Sequence, residues 1–320
     1  MTTQVDTLLL LALPASGKSE VRRYLANLSP AECRDDFHMG PTVQLDDFPY
    51  VHLMRRIDEE LVKLGRRGVY FQAGDRPFAD AWDWGTLIQL LNEDYDDLLA
   101  LRRIEAESAA HWLFERFDRA ARLAGAAPKL RDLPDGLLKD LAKRMEPEAR
   151  ARLDEQNANL PDTLQGKTIV LEFARGGADG SRLPLKAPFG YQHSLAQLSP
   201  TILERSAILY VWVTPEESRR KNEARTDPND PGSILHHGVP IAVMLGDYGC
   251  DDMEWLIEHS GTPGHVKVQA HERSFLLKVG RFDNRVDKTS FIRNPKDQWA
   301  PADVQAVHQG LKSALDQLVS

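Results

Sequence analysis

The sequence predicts a three-layer α/β fold with a mainly parallel sheet and a large helical insertion after the second strand. Three observations carry this. Short runs along the chain read as strands: Thr7–Leu13 and Thr168–Phe173 as buried ones of the kind found in parallel sheets, Ala207–Val213 and Phe275–Phe282 as apolar ones and Pro41–Leu45 as a short one. The first run leads through a tight glycine-containing loop into a helical pattern. The stretch between Leu45 and Thr168 is far longer than one crossover helix requires, and its apolar residues fall at helical spacing.

Composition narrows the class. The chain has 320 residues, 42% of them hydrophobic and 28% charged, which is enough for a large core and excludes a collagen-like or mainly disordered chain. A net charge of -8 weighs against a general nucleic-acid binder. Two cysteines far apart, Cys33 and Cys250, form no disulfide framework and suit a reducing compartment. The run Leu8–Leu13 is shorter than the ~20 residues that span a bilayer, and no basic segment precedes it. The expectation is a cytoplasmic protein without a membrane partner; pattern alone leaves its oligomeric state open.

The first strand ends in Pro14-Ala15-Ser16-Gly17-Lys18-Ser19, and Glu20 to Leu25 continues as helix. From Ala12 to Ser19 the spacing is A-x-x-x-x-G-K-S, the phosphate-binding loop with alanine for its first glycine. Backbone N–H groups and the positive end of the following helix would surround phosphate oxygens there, and Gly17 removes a Cβ from their path. On these residues the chain resembles the P-loop NTPase superfamily. The resemblance implies ATP and Mg²⁺ as cofactors, with Pro14, Ala15, Ser16, Gly17, Lys18, Ser19 and Glu20 around the nucleotide. Lys18 would reach the β/γ-phosphates, and the Ser19 hydroxyl would face the metal.

Four later segments bear on the branch. The second strand ends in Asp46-Asp47-Phe48-Pro49-Tyr50, similar to the acidic-aromatic cluster of P-loop kinases acting on nucleosides and other small metabolites. Asp46 or Asp47 would orient the acceptor hydroxyl or take its proton; the bland alternative is an acidic turn that caps the next helix. Glu172, near the carboxyl end of the third strand, is a candidate for Mg²⁺ or its water. With Arg175 it resembles the Glu-Arg pair of deoxynucleoside kinases, where Arg175 would clamp a phosphate or an acceptor group. After the fourth strand, Thr214-Pro215-Glu216-Glu217 starts a helix carrying Arg219, Arg220, Lys221 and Arg225, at the place of a kinase lid whose arginines close on the phosphates. A solvated basic helix is the competing reading. Asn284-Arg285-Val286-Asp287 follows the last strand, where such kinases touch adenine, and resembles the guanine-reading N-K-x-D of GTPases. No D-x-x-G follows the Glu172 strand, so ATP is the expected nucleotide and Asn284 a candidate contact.

The organisation expected is a core of residues 1–53 and 166–320, a helical insertion over 54–165 and a lid region over 214–262. Within the insertion, Leu87–Leu123 and Pro134–Asn157 carry the helical patterns. Gly74-Asp75-Arg76-Pro77-Phe78 and Trp82-Asp83-Trp84 mix charge with aromatics and suit either an acceptor pocket or packing against the sheet. Arg55 and Arg56 would meet an anionic acceptor. His236-His237 lacks a further ligand at metal spacing and reads as a loop pair. Asp303–Leu318 reads as a closing helix that packs on the sheet. The resemblance thus implies an ATP-dependent phosphotransferase acting on a small acceptor such as a nucleoside or nucleotide. The alternative is a P-loop ATPase or GTPase-like regulator that binds and slowly hydrolyses nucleotide.

Overall fold

The computed structural model describes residues 4–225 and 238–319. Its first strand, β1 (Thr7–Leu11), shows why the apolar runs are continuous. All five residues are buried, with Leu8 and Leu10 on one face and Leu9 and Leu11 on the other. Successive side chains alternate across a strand, so a strand covered on both faces needs apolar residues at every position.

Among the described residues, a six-stranded sheet runs in the order β2-β3-β1-β4-β6-β5. Strands β2 (Thr42–Asp46), β3 (Thr168–Phe173), β1, β4 (Ser206–Trp212) and β6 (Arg273–Asp283) pair in parallel. The edge strand β5 (His265–Ala270) is antiparallel to β6 and was not foreseen from the sequence. A tight turn joins them, with His271 at φ 51° and Glu272 at φ 58°, neither a residue that advertises a hairpin.

One face of the sheet is covered by α1 (Lys18–Ala26), α2 (Pro30–Phe37) and α12 (Pro301–Val319), through Val21, Phe37, Leu311 and Leu315. The other carries α4 (Asp83–Leu99), α7 (Gly190–Ala196), α8 (Pro200–Arg205) and α11 (Met253–Glu258). Helix, sheet, helix make three layers. Fully burying one Leu of this core contributes about 1.5–3 kcal/mol.

Between β2 and β3 the chain forms α3 (Phe48–Lys63), α4, α5 (Ala109–Ala124) and α6 (Asp135–Ala158). The pattern over Leu87–Leu123 is therefore two helices, broken after Leu99. Helix α4 is apolar on two sides. Ile88, Leu91, Tyr95 and Leu98 pack on the sheet, where the Tyr95 and Thr7 hydroxyls share a hydrogen bond of 2.8 Å. Trp84, Leu87 and Leu90 pack with α3, α5 and α6. The helical stretch is thus anchored on the sheet by one of its own members.

A buried polar cluster fastens these helices. Tyr50 donates to Asp94 (2.5 Å), and the Arg116 guanidinium, 2% exposed, pairs with Asp94 at 2.7 Å and Glu93 at 2.9 Å. The acidic run 93–97, which reads as a solvated face, is solvated only in part: Asp94 is 2% exposed. Helices α9 (Pro215–Arg225) and α10 (Ile241–Gly246) lie between β4 and α11. No helix among the described residues is long and apolar enough to cross a membrane.

Candidate active site

The carboxyl ends of β1, β2 and β3 open into one pocket, at the position where open α/β sheets bind ligands. Its two ends are built differently.

At the first end, residues Pro14 to Glu20 wrap the N-terminus of α1. Gly17 precedes the helix at φ 108°, and a Cβ there would lie 2.5 Å from Thr289 Oγ1 and 2.8 Å from Asn284 Nδ2. Only glycine tolerates that angle and that crowding. No side chain caps α1, so its first-turn N–H groups face the pocket without a side-chain acceptor at the N-cap. Lys18 curls back, donating to the Ala12 carbonyl at 3.1 Å and to Leu13 at 3.3 Å. Ser16 Oγ is buried without a partner among the described residues, and Ser19 lines the wall.

Three carboxyl groups face this loop. Asp46 and Glu172 are register partners on adjacent parallel strands, and Arg22 Nη1 bridges them at 3.0 and 2.7 Å. Asp47 is held by Arg175 at 2.6 Å. Burial pushes all three carboxyls above the usual range; Asp46 is raised further by Asp47, and Glu172 by Asp46, against the pull of Arg22. For Asp47, Arg175 and Lys18 oppose the rise. Asp46 and Asp47 therefore both line the pocket, the first paired with Arg22 and the second with Arg175.

The other expected residues have different tasks. Arg175 does not reach the pocket: it is 2% exposed and spent on Asp47, the Ala174 carbonyl at 2.6 Å and the Trp84 carbonyl at 3.1 Å. It positions Asp47 from behind. Asn284 is fully buried and supports the loop, donating to the Ser16 carbonyl at 2.7 Å and to Thr289 at 3.0 Å, so it does not line the pocket. Glu20 lines the wall, but its carboxylate pairs with Arg293 at 2.6 Å.

Arg219 and Arg220 pair along their own helix with Glu216 and Glu217 and do not line the pocket. What α9 brings to the loop is Ser218, which donates to the Pro14 carbonyl at 2.7 Å, and the buried Lys221, paired with Asp287 at 3.0 Å. The Arg225 side chain, the turn Thr226–Gly232 and His236-His237 lie outside the described residues.

The second end is aromatic. Phe71 and Phe78 stack at 4.5 Å, Phe78 meets Trp84 edge-on at 4.8 Å, and Trp84 meets Tyr248 at 5.4 Å. Val51, Val239 and Val243 complete the wall. Arg55 lies 3.9 Å over the Phe71 ring and donates to the carbonyls of Gly74 (2.6 Å) and Arg76 (3.4 Å). Arg56 turns away to Glu148 and Glu60.

Asp247 and Tyr248 reach this end because their segment lies against Gly176 and Gly177, which follow β3. Gly177 and Cys250 exchange backbone hydrogen bonds of 2.9 and 3.2 Å, and a Cβ on Gly176 would lie 2.5 Å from the Cys250 carbonyl oxygen. Sequence reasoning passed over Asp247, Tyr248 and Arg22. The only local signal for the first two is the turn Gly246-Asp247-Tyr248-Gly249; Arg22 shows none, because its partners are 24 and 150 residues away.

No group of three or more His, Cys, Asp or Glu in metal-holding geometry occurs among the described residues. The Asp46–Glu172 pair and the Ser19 hydroxyl fit a smaller demand. They are hard oxygen donors of the kind that hold Mg²⁺ together with waters and phosphates rather than in an all-protein cage. Arg22 between the carboxylates offsets part of their charge. Comparison with known proteins finds no matching family model, curated protein or solved structure.

Proposed function

We propose that the protein is an ATP-dependent, Mg²⁺-requiring phosphotransferase that moves the γ-phosphoryl group to a small acceptor. One observation carries the reading: a glycine loop, a helix N-terminus and a lysine open onto the same pocket as carboxyl groups at strand ends and an aromatic wall. Anions gather at a helix N-terminus, and the buried unpartnered Ser16 hydroxyl offers a further polar contact to a phosphate.

Phosphoryl transfer needs positioning and charge stabilisation more than covalent chemistry, so each residue's role follows from where it points. Lys18 and the loop amides hold the phosphates. Ser19, Asp46 and Glu172 would hold Mg²⁺, which when bound neutralises phosphate charge; Arg22 keeps the two carboxylates together. Asp47, whose partner Arg175 also holds the Trp84 carbonyl, would accept the hydrogen bond of the incoming hydroxyl. Its raised proton affinity suits a group that takes a proton as the bond forms. The compartment favours an acceptor over simple hydrolysis, since an aromatic wall next to the phosphate site has no part in activating water.

The test is MgATP binding by titration with wild type and Lys18→Ala, followed by ADP release with and without hydroxyl-bearing acceptors. Lys18-dependent binding with acceptor-dependent release supports transfer. Slow release indifferent to every acceptor returns the regulator, and absence of nucleotide binding removes both.

A further inference from the structure

The aromatic end carries one feature that phosphate chemistry does not use. Asp247 is 5% exposed and lines the pocket at the end of α10. The nearby Trp84 indole favours its ionised form, and its Oδ2 is buried without a hydrogen-bond partner among the described residues. An orphaned acceptor inside an apolar compartment costs free energy unless a ligand supplies a donor.

We infer that this compartment takes a flat ring carrying a nitrogen-linked hydrogen-bond donor, an amino or ring N–H group received by Asp247 Oδ2. Three further observations select that chemistry. The wall of Phe78, Trp84 and Tyr248 offers faces and edges that match a planar π-system, whereas an aliphatic polyol would leave them unmatched. Asp247 can only accept when ionised, so a carbonyl or phosphate at the same place would face its lone pairs. Arg55, the nearby cation, is already stacked on Phe71 and engaged with the Gly74 and Arg76 carbonyls, so the compartment is not arranged around an anionic ring. Burial raises the Asp247 carboxyl to about 6, which still leaves it largely ionised at neutral pH.

This deepens the phosphotransferase reading and rests on it for direction. The ring sits on Asp247, and a hydroxyl borne by the same molecule reaches Asp47 and the phosphate site. Binding of the ring itself needs no nucleotide, so the two readings separate.

The experiment is equilibrium titration of the full chain, followed by tryptophan fluorescence and calorimetry, with pairs differing by one amino group. The probes are adenosine against purine riboside, cytidine against its 4-deamino analogue, and 3-aminobenzyl alcohol against benzyl alcohol. In at least one pair the amino member binds about tenfold tighter or better, as one hydrogen bond to a buried carboxylate provides. Asp247→Asn, which keeps the side chain's size, reduces that preference to threefold or less. Equal binding within every pair, no binding by any probe, or a preference unchanged in Asp247→Asn each overturns the inference. A preference found in a protein that does not bind MgATP would leave the ring site standing and remove the phosphotransferase reading; Lys18-dependent MgATP binding without any preference would do the reverse.

Discussion

The two ends of the pocket are made by different means. The loop end comes from one stretch of chain, Pro14 to Glu20, whose short-range geometry is dictated by Gly17 and by the helix that begins at Lys18. The aromatic end draws Phe71, Phe78, Trp84, Val243, Asp247 and Tyr248 from separate parts of the chain. The first is therefore written locally and the second depends on packing. The loop's shape is local, though Asn284 on the Ser16 carbonyl and Ser218 on the Pro14 carbonyl brace it from a distance, whereas the wall itself is assembled from separate segments.

The largest effect expected from breaking the loop end is that of Lys18→Ala. On the proposed reading it lowers kcat/KM by about a thousandfold, the range for removing a preorganised charge from a transition state, and leaves ring binding at the other end intact. Nucleotide titration and steady-state kinetics check both halves. Loss of ring binding as well would show that the ends are not independent.

At the seam, Asp47→Asn should lower kcat by about a hundredfold or more, the scale of general-base assistance, with acceptor KM little changed. Asp46→Asn should instead raise the Mg²⁺ concentration needed for half-maximal rate. Equal kinetic behaviour in the two variants would contradict the division of labour between them.

Gly176→Val tests the aromatic end. Any Cβ there meets the Cys250 carbonyl, so the 247–250 segment must shift. The expected cost is about 1–3 kcal/mol of stability, as for overpacking, with ring binding lost and MgATP binding retained. Denaturant melts and the two titrations read this out.

The smallest effect sharpens the role of Asp247. Its folded-state proton affinity is raised to about 6, so the folded chain binds a proton more tightly than the unfolded one. Stability contributed by this group is complete below about pH 4 and falls as pH rises toward 6, after which it is level. Asp247→Asn has no such loss. It should match wild type near pH 4 and exceed it by about 1–2 kcal/mol at pH 8, less than the full shift allows because the site is open on one side. A difference that does not change with pH would assign the effect to packing.

Much of the frame was legible. The strands at 7, 168 and 206 announced themselves because burial on both faces forces continuous apolar runs, whereas β2 and β6, covered only in part, were legible from the shorter stretches 41–45 and 275–282. The edge strand His265–Ala270 did not, since it alternates with exposed Lys267 and Gln269 and has no parallel neighbour's signature. Arg175 stood out in the sequence, but its pairing did not. Its spacing from Glu172 suggested a clamp, but its guanidinium is directed to Asp47, 128 residues earlier. Arg219 and Arg220 sat at the expected point after β4, yet carboxylates one turn away on their own helix hold them.

By itself the sequence determined the strands other than β5, the loop at Gly17, the helix start at Thr214-Pro215 and the helical character between β2 and β3. All of these follow from interactions within a few residues: alternation, backbone conformational freedom and helical spacing. Tertiary structure decided which carboxylate belongs to which side. It placed Arg22 between Asp46 and Glu172, set Arg175 behind Asp47, and brought Asp247 beside Trp84 by resting its loop on two glycines. Such pairings join residues far apart in the chain, and only the packing of the sheet and its helices selects them from the many carboxylates and arginines available.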